Sequence, residues 1–193
     1  MKTSHSFPIG LSAYWQPPER YLIPNTKLKN WLLDTGSLTE RLQSHCDHFH
    51  VQLLGQRHVP VSLEEMSQLN SLVPSKHVQD WQVREVVLWG NHQPWVFARS
   101  IIPQKMCDAE FAELGEQPLG KLIFNDPRFK RMPFQLTQLD EKNAVTAALN
   151  ISCQQTIWAR RSIFQFSGLP MSVAELFLPQ SPAYEQCSDT SIT

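Results

Sequence analysis

The sequence lacks the features that mark a nucleic-acid-binding or membrane protein. Its 17 Lys and Arg are offset by 18 Asp and Glu, for a net charge of −1, and no basic block occurs, so the electrostatic footprint of nucleic-acid binding is missing. No apolar run approaches the ~18 residues of a membrane span. Met1 to Pro8 carries one Lys and no apolar core of signal-peptide length, so the expected location is the cytoplasm, without stable membrane insertion. Cys46, Cys107, Cys153 and Cys187 are scattered, with no Cys-x-x-Cys. In a cytosolic protein they read as free thiols, and no neighbouring base singles one out as a nucleophile. There is no internal repeat, no Gly-rich phosphate loop, no Gly-x-Ser-x-Gly and no His-Glu-x-x-His. Three imidazoles, His45, His48 and His50, lie close enough in sequence to suggest zinc, but no second ligand pair of recognised spacing follows. They read as solvated histidines at a helix-to-strand turn, and no metal site is expected.

What remains fits one globular domain: 41% hydrophobic and 18% charged residues in a chain long enough to bury a substantial core. Residues 1–27 are rich in Pro and polar residues and read as an irregular leader, with Tyr14 and Trp15 as possible anchors. A short helix is predicted over Leu28 to Leu33. Ser37 and Glu40 have the spacing of a capping box and open a second helix, to about Ser44. Phe49 to Val59 reads as a strand. Ser62 and Glu65 repeat the capping pattern for a helix to Leu72, ended by Pro74.

The clearest hairpin joins Gln82–Trp89 to Trp95–Ile102 through Gly90 to Pro94. Asp108 is expected to cap a helix to Leu114, closed by Gly115. Pro118 to Phe124 makes another short helix, Phe134 to Leu139 a strand, and Glu141 to Leu149 a helical or loop excursion. The chain closes on a second hairpin between Trp158 and Pro179, turning at Ser167-Gly168-Leu169-Pro170, where Pro should stop the ladder. Antiparallel hairpins with short helices between them predict an α+β fold, one sheet with helices on one face.

The chemistry lies in ionisable residues on apolar strand faces. Met171, Val173, Glu175 and Phe177 share one face, which sets a carboxylate among apolar side chains. Such a group needs a cation, and Arg160 or Arg161 on the preceding strand are candidates. Arg99 shares a face with Phe97 and Ile101. Arg84 lies with Val86 and Leu88, while Glu85 lies with Val83 and Val87, and periodicity does not decide which of the two faces the core. A buried Arg needs a carboxylate from the protein or from a ligand. Guanidinium and carboxyl groups in one apolar pocket would suit a small hydroxylated acid: the cation holds the acid, and a carboxyl kept neutral would donate to the hydroxyl. The same pattern also fits an internal Arg–Glu bridge with no ligand.

Four segments resemble chorismate lyase: Arg84-Glu-Val-Val-Leu with Pro94-Trp-Val-Phe-Ala-Arg-Ser-Ile-Ile-Pro103; Leu114-Gly-Glu-Gln-Pro-Leu-Gly-Lys-Leu-Ile-Phe124; Trp158-Ala-Arg-Arg-Ser162; and Glu175-Leu-Phe-Leu-Pro-Gln-Ser-Pro182. They run in order through a domain taken as residues 28–184, with 185–193 a polar tail. The resemblance implies a six-stranded antiparallel sheet and a cavity closed by helical flaps. It implies conversion of chorismate to 4-hydroxybenzoate and pyruvate, leading into ubiquinone biosynthesis, by a monomer with no cofactor. The family's ring-carboxylate arginine matches Arg84, and its glutamate at the product's phenolic end matches Glu175. Leu119 matches the residue that contacts ligand through its backbone. A flap residue, often Met in relatives, falls at Leu38. Arg99 is a further candidate, for the enolpyruvyl carboxylate. The connection from Leu139 to Thr156 is longer than usual in the family. The alternative from another class is a ligand-sensing domain of the same architecture, but those are normally joined to a helix-turn-helix, which the Pro-bearing leader does not supply.

Overall fold

The computed structural model describes residues 7–73, 80–112, 114–115 and 117–184; Pro74, Cys187 and the tail expected at 185–193 lie outside these. In chain order the elements are α1 (Thr26–Leu32), α2 (Leu38–Gln43), β1 (Phe49–His58), α3 (Leu63–Leu72), β2 (Trp81–Gly90), β3 (Gln93–Pro103), α4 (Gln104–Ala109), α5 (Leu119–Asn125), β4 (Lys130–Arg131), β5 (Gln135–Leu139), α6 (Ala144–Ala148), β6 (Ile157–Phe166) and β7 (Leu169–Phe177). The strands form one antiparallel sheet in the order β1-β2-β3-β7-β6-β4, with β5 also pairing β6. β4 lies beside Phe164 and Gln165, and β5 beside Ile157 to Arg161, so the two share one edge.

Both hairpins turn through two residues with positive φ, Asn91-His92 and Ser167-Gly168, the geometry that matches strand twist. Gly168, at φ 79°, adopts this conformation without a Cβ penalty. The tight turns leave Pro94 and Pro170 inside strands, with Pro170 opposite Gln165, so Pro170 does not stop the ladder as expected. Ser37 and Ser62 cap α2 and α3 by accepting the N–H of the residue three further on, and at Ser62 the box is reciprocal through Glu65. Asp108 is not a cap. α4 starts directly after Pro103 ends β3, and Asp108 instead accepts a hydrogen bond from Gln104 within that helix.

Four helices cover one face of the sheet. Leu28, Trp31 and Leu32 of α1 and Leu38 and Leu42 of α2 pack on Val86, Leu88, Ala98, Trp158 and Phe177. Met106 and Cys107 of α4 and Leu119 and Ile123 of α5 pack on Ile102, Phe164 and Met171. Each large apolar side chain buried this way contributes about 1.5–3 kcal/mol. The opposite face is also covered. There α3 sets Leu69 against Val83, Ile101 and Ile163, while Leu11 of the leader and Val145 of α6 close over Val87, Phe97 and Leu176. The leader's described residues are therefore irregular but built into the core, anchored by Leu11 and by Trp15 against Arg161; Tyr14 points to solvent.

Candidate active site

Between the first face and the helices α2 and α5 lies a cavity. Arg84, Val86 and Leu88 of β2, Ala98 and Ser100 of β3, Val173 and Glu175 of β7, and Arg160, Ser162 and Phe164 of β6 form its floor. These are alternate residues on each strand, as the pleat requires. Leu38 and Thr39 of α2 and Leu119, Gly120 and Ile123 of α5 form its roof, with Arg131 of β4 at one side. The two roof helices are in contact, since a Cβ on Gly120 would lie 3.4 Å from the Thr39 hydroxyl. About 50 Å³ is open to water-sized spheres, several times the ~10–15 Å³ one water needs.

Arg84 is 2% exposed and tightly held. Its Nη1 donates to Gln56 Oε1 (2.9 Å) and to the Gly115 carbonyl (2.8 Å), and its Nη2 donates to the Gln117 carbonyl (3.0 Å). Gly115 has φ 49°, which carries the loop back over the strand. Gln56 is fixed in turn by a run of amides, Gln56 to Gln82 to Gln104, each link 3.0 Å, ending on Asp108. The guanidinium is thereby oriented before any ligand arrives.

Glu175 accepts a hydrogen bond from Arg160 Nε in an ion pair. Arg160 Nη1 also donates to the carbonyls of Trp31 (3.0 Å) and Asp34 (2.9 Å), satisfying the C-terminal end of α1. Only one Glu175 oxygen is used this way, and 18% of the side chain is exposed, on the cavity wall. The internal Arg–Glu bridge and the ligand-facing carboxylate are thus the same group.

Arg131 donates to the Thr35 carbonyl (2.6 Å) and lies 4.5 Å from the Phe134 ring centroid. Burial and the charge of Arg160 lower its pKa, against the attraction of Glu175 and Asp34.

Of the residues expected from sequence, Arg84, Glu175, Leu119 and Leu38 line this cavity. Arg99 does not, and this is a correction. It lies on the opposite face, where Nε and Nη2 donate to Glu65 (2.7 and 3.1 Å) and Nη1 donates to Glu85 (2.6 Å). Burial alone would lower its pKa, but the two carboxylates raise it. Sequence reading missed Arg131, which sits in a two-residue strand too short to carry a pattern. His50 stacks on Trp89 and His45 packs against Trp31. Among the described residues no group of three His, Cys, Asp or Glu is placed to hold a metal, and no helix is long and apolar enough to cross a membrane.

The sequence model of the family described as chorismate lyase matches residues 10–188, which includes most of the leader. A protein of Pseudoalteromonas atlantica named "Probable chorismate pyruvate-lyase" is 52% identical over 181 residues, covering 94% of each chain. The "Chorismate pyruvate-lyase" of Pectobacterium carotovorum subsp. carotovorum is 34% identical over 183 residues, covering 93% of this chain and 90% of that one. Among solved structures, a GntR-family transcriptional regulator from Bacillus cereus superposes with a TM-score of 0.53 at 10% identity, over 72% of this chain and 96% of that one. The C-terminal domain of the histidine utilization repressor from Pseudomonas syringae pv. tomato gives the same four values. At that identity the likeness is one of fold alone.

Proposed function

The chain belongs to the chorismate lyase family, whose activity is that of a carbon–oxygen lyase, and on that premise we propose that it eliminates pyruvate from chorismate to leave 4-hydroxybenzoate, for ubiquinone biosynthesis. The observation that carries the reading is a single apolar cavity with Arg84 fixed on one part of its floor and Glu175 on another. Through the register Arg84–Ser100–Val173 and Ala98–Glu175, the two residues stand two strands and two residues apart, about 12 Å at Cα by ordinary sheet spacing.

In the reaction the C3–O ether bond breaks and its electron pair leaves with enolpyruvate. The C4–H pair becomes a ring double bond, and the proton lost from C4 balances the one enolpyruvate gains on becoming pyruvate. Aromatisation makes the step strongly downhill, and because the elimination is redox-neutral it needs no oxidant or reductant. Arg84 would hold the ring carboxylate in a charge-assisted contact. Glu175 would use its second oxygen to accept from the 4-hydroxyl, orienting C4 and drawing electron density toward the ring. Leu119 opens α5, where backbone N–H groups have no partner within the helix, and can present one to the carboxylate. Leu38 and the α5 roof exclude water, and they must part to admit substrate and release product.

The test is incubation of the purified chain with chorismate and no additive, following 4-hydroxybenzoate by absorbance and pyruvate by a coupled assay. Equimolar release of both supports the reading. Binding of 4-hydroxybenzoate without any pyruvate would replace it with the non-catalytic sensor.

A further inference from the structure

Chorismate carries two carboxylates, and the anchors described so far provide for one. The residue expected from sequence to take the second, Arg99, is turned to the other face and neutralised there by Glu65 and Glu85. We infer that Arg131 receives the enolpyruvyl carboxylate and so distinguishes the substrate from the product.

Three observations converge on this residue. Arg131 lines the same cavity as Arg84 and Glu175. It enters from β4, at the opposite margin of the sheet from β2: the strand order sets β3, β7 and β6 between them, with Glu175 on the middle one. A ring held at Arg84 by its carboxylate and at Glu175 by its para hydroxyl would then project the neighbouring C3 substituent past Glu175, toward the β6–β4 side or back over β3. Apart from Arg84, which holds the ring, only the first direction leads to a lining guanidinium with no ion pair to a carboxylate among the described residues. Arg160, the other cation there, is bonded to Glu175.

Arg131 makes no ion pair among the described residues; its one hydrogen bond is from Nη2 to the Thr35 carbonyl. The Phe134 and Phe124 rings, with centroids 4.5 and 5.4 Å from its Cζ, hold the guanidinium plane and restrict its hydration. A cation kept half-buried beside a second cation, Arg160, is destabilised until an anion joins it, as the lowered pKa also indicates. The arriving carboxylate would supply that anion, and its departure with pyruvate would remove it.

The inference rests on the lyase reading, and the experiment separates the two. Steady-state KM for chorismate and the competitive inhibition constant for 4-hydroxybenzoate are measured for the wild type, Arg131→Met and Arg131→Lys, with a thermal melt for each. The product has the ring carboxylate and hydroxyl but no enolpyruvyl group. The expected result for Arg131→Met is a KM raised about 10- to 100-fold, the range for losing a charged hydrogen bond, with product inhibition changed less than about twofold. Arg131→Lys keeps the charge without the fork and should fall between wild type and Arg131→Met; it also supplies the KM-to-inhibition ratio if Arg131→Met does not fold. An unchanged KM, or an equal rise in both constants, overturns the anchor. A wild-type chain that forms no pyruvate overturns the lyase reading itself, and the anchor with it.

Discussion

The two faces of the sheet each bury an arginine–glutamate pair, and the difference between the pairs separates chemistry from architecture. On the far face Glu85 is fully buried and saturated: Oε2 accepts the Ile9 N–H (2.7 Å), and Oε1 accepts the Gly10 N–H (2.9 Å) and Arg99 Nη1 (2.6 Å). Arg99 Nε and Nη2 donate to Glu65 of α3. Both Glu85 oxygens are occupied, and the pair acts as a rivet joining leader, sheet and α3. On the near face Arg160 Nε bonds one oxygen of Glu175 and Nη1 turns to the end of α1, leaving the carboxylate half-used on a cavity wall. Charge type and strand pattern are alike on the two faces, while Glu85 is fully buried and Glu175 is 18% exposed. What differs is whether the valences are filled.

The sharpest way to break this contrast is to remove each carboxylate. Glu175→Ala should lower kcat by on the order of 10²- to 10⁴-fold if the carboxylate handles the 4-hydroxyl in the transition state. Near-normal turnover would reduce it to a second rivet. Glu85→Ala should instead destabilise the chain by about 3–5 kcal/mol, because it leaves one guanidinium N–H of Arg99 and the Ile9 and Gly10 N–H groups without their acceptor. Chemical denaturation reads that loss, and the protein that remains folded should keep the wild-type KM. If Glu85→Ala lost turnover at unchanged stability, the far face would have to be part of the site.

This contrast also explains how far the sequence could be read. The hairpins were legible because alternation and turn residues are local, and Asn91-His92 and Ser167-Gly168 lie where the pattern breaks. The face of β2 was not: it is buried almost throughout on both sides, so Arg84 and Glu85 look equivalent until the partner layers are known. Only the family resemblance pointed to Arg84. Arg99 was misread because the carboxylate that claims it, Glu65, arrives from α3 by packing that no local pattern encodes. Asp108 has the residue type of a helix cap, but α4 begins before it, at Gln104, because β3 runs directly into the helix through Pro103.

A smaller effect sharpens the near-face side of the comparison. Arg84→Ala should raise both the chorismate KM and the product inhibition constant about 10- to 100-fold, since substrate and product share the ring carboxylate. That parallel rise is the counterpart to the split expected at Arg131. If product inhibition were unmoved, Arg84 would be a structural arginine holding the Gly115–Gln117 loop through the two carbonyls it already bonds.

The smallest effect tests how the near face is fastened to its roof. Asp34 sits in the loop between α1 and α2 whose carbonyls receive Arg160 and Arg131. Desolvation would raise its pKa, but the Gly36 N–H, at 2.8 Å, and the Arg41 guanidinium, also at 2.8 Å, together bring it below the ordinary Asp value. A depressed folded-state pKa stabilises the fold above the unfolded value, and that contribution is lost as pH falls through the folded one. Asp34→Asn should therefore be less stable than wild type by under about 1 kcal/mol near neutrality, because the pair is partly exposed and screened. The gap should close as pH falls through the lowered folded-state pKa, where the wild-type carboxylate is itself protonated. Paired urea melts from acid to neutral pH would show this. A gap that stayed constant down to the acid end would mean the loop is fastened by the carbonyl contacts to Arg131 and Arg160 alone, and that the Asp34 charge contributes nothing to closing the roof.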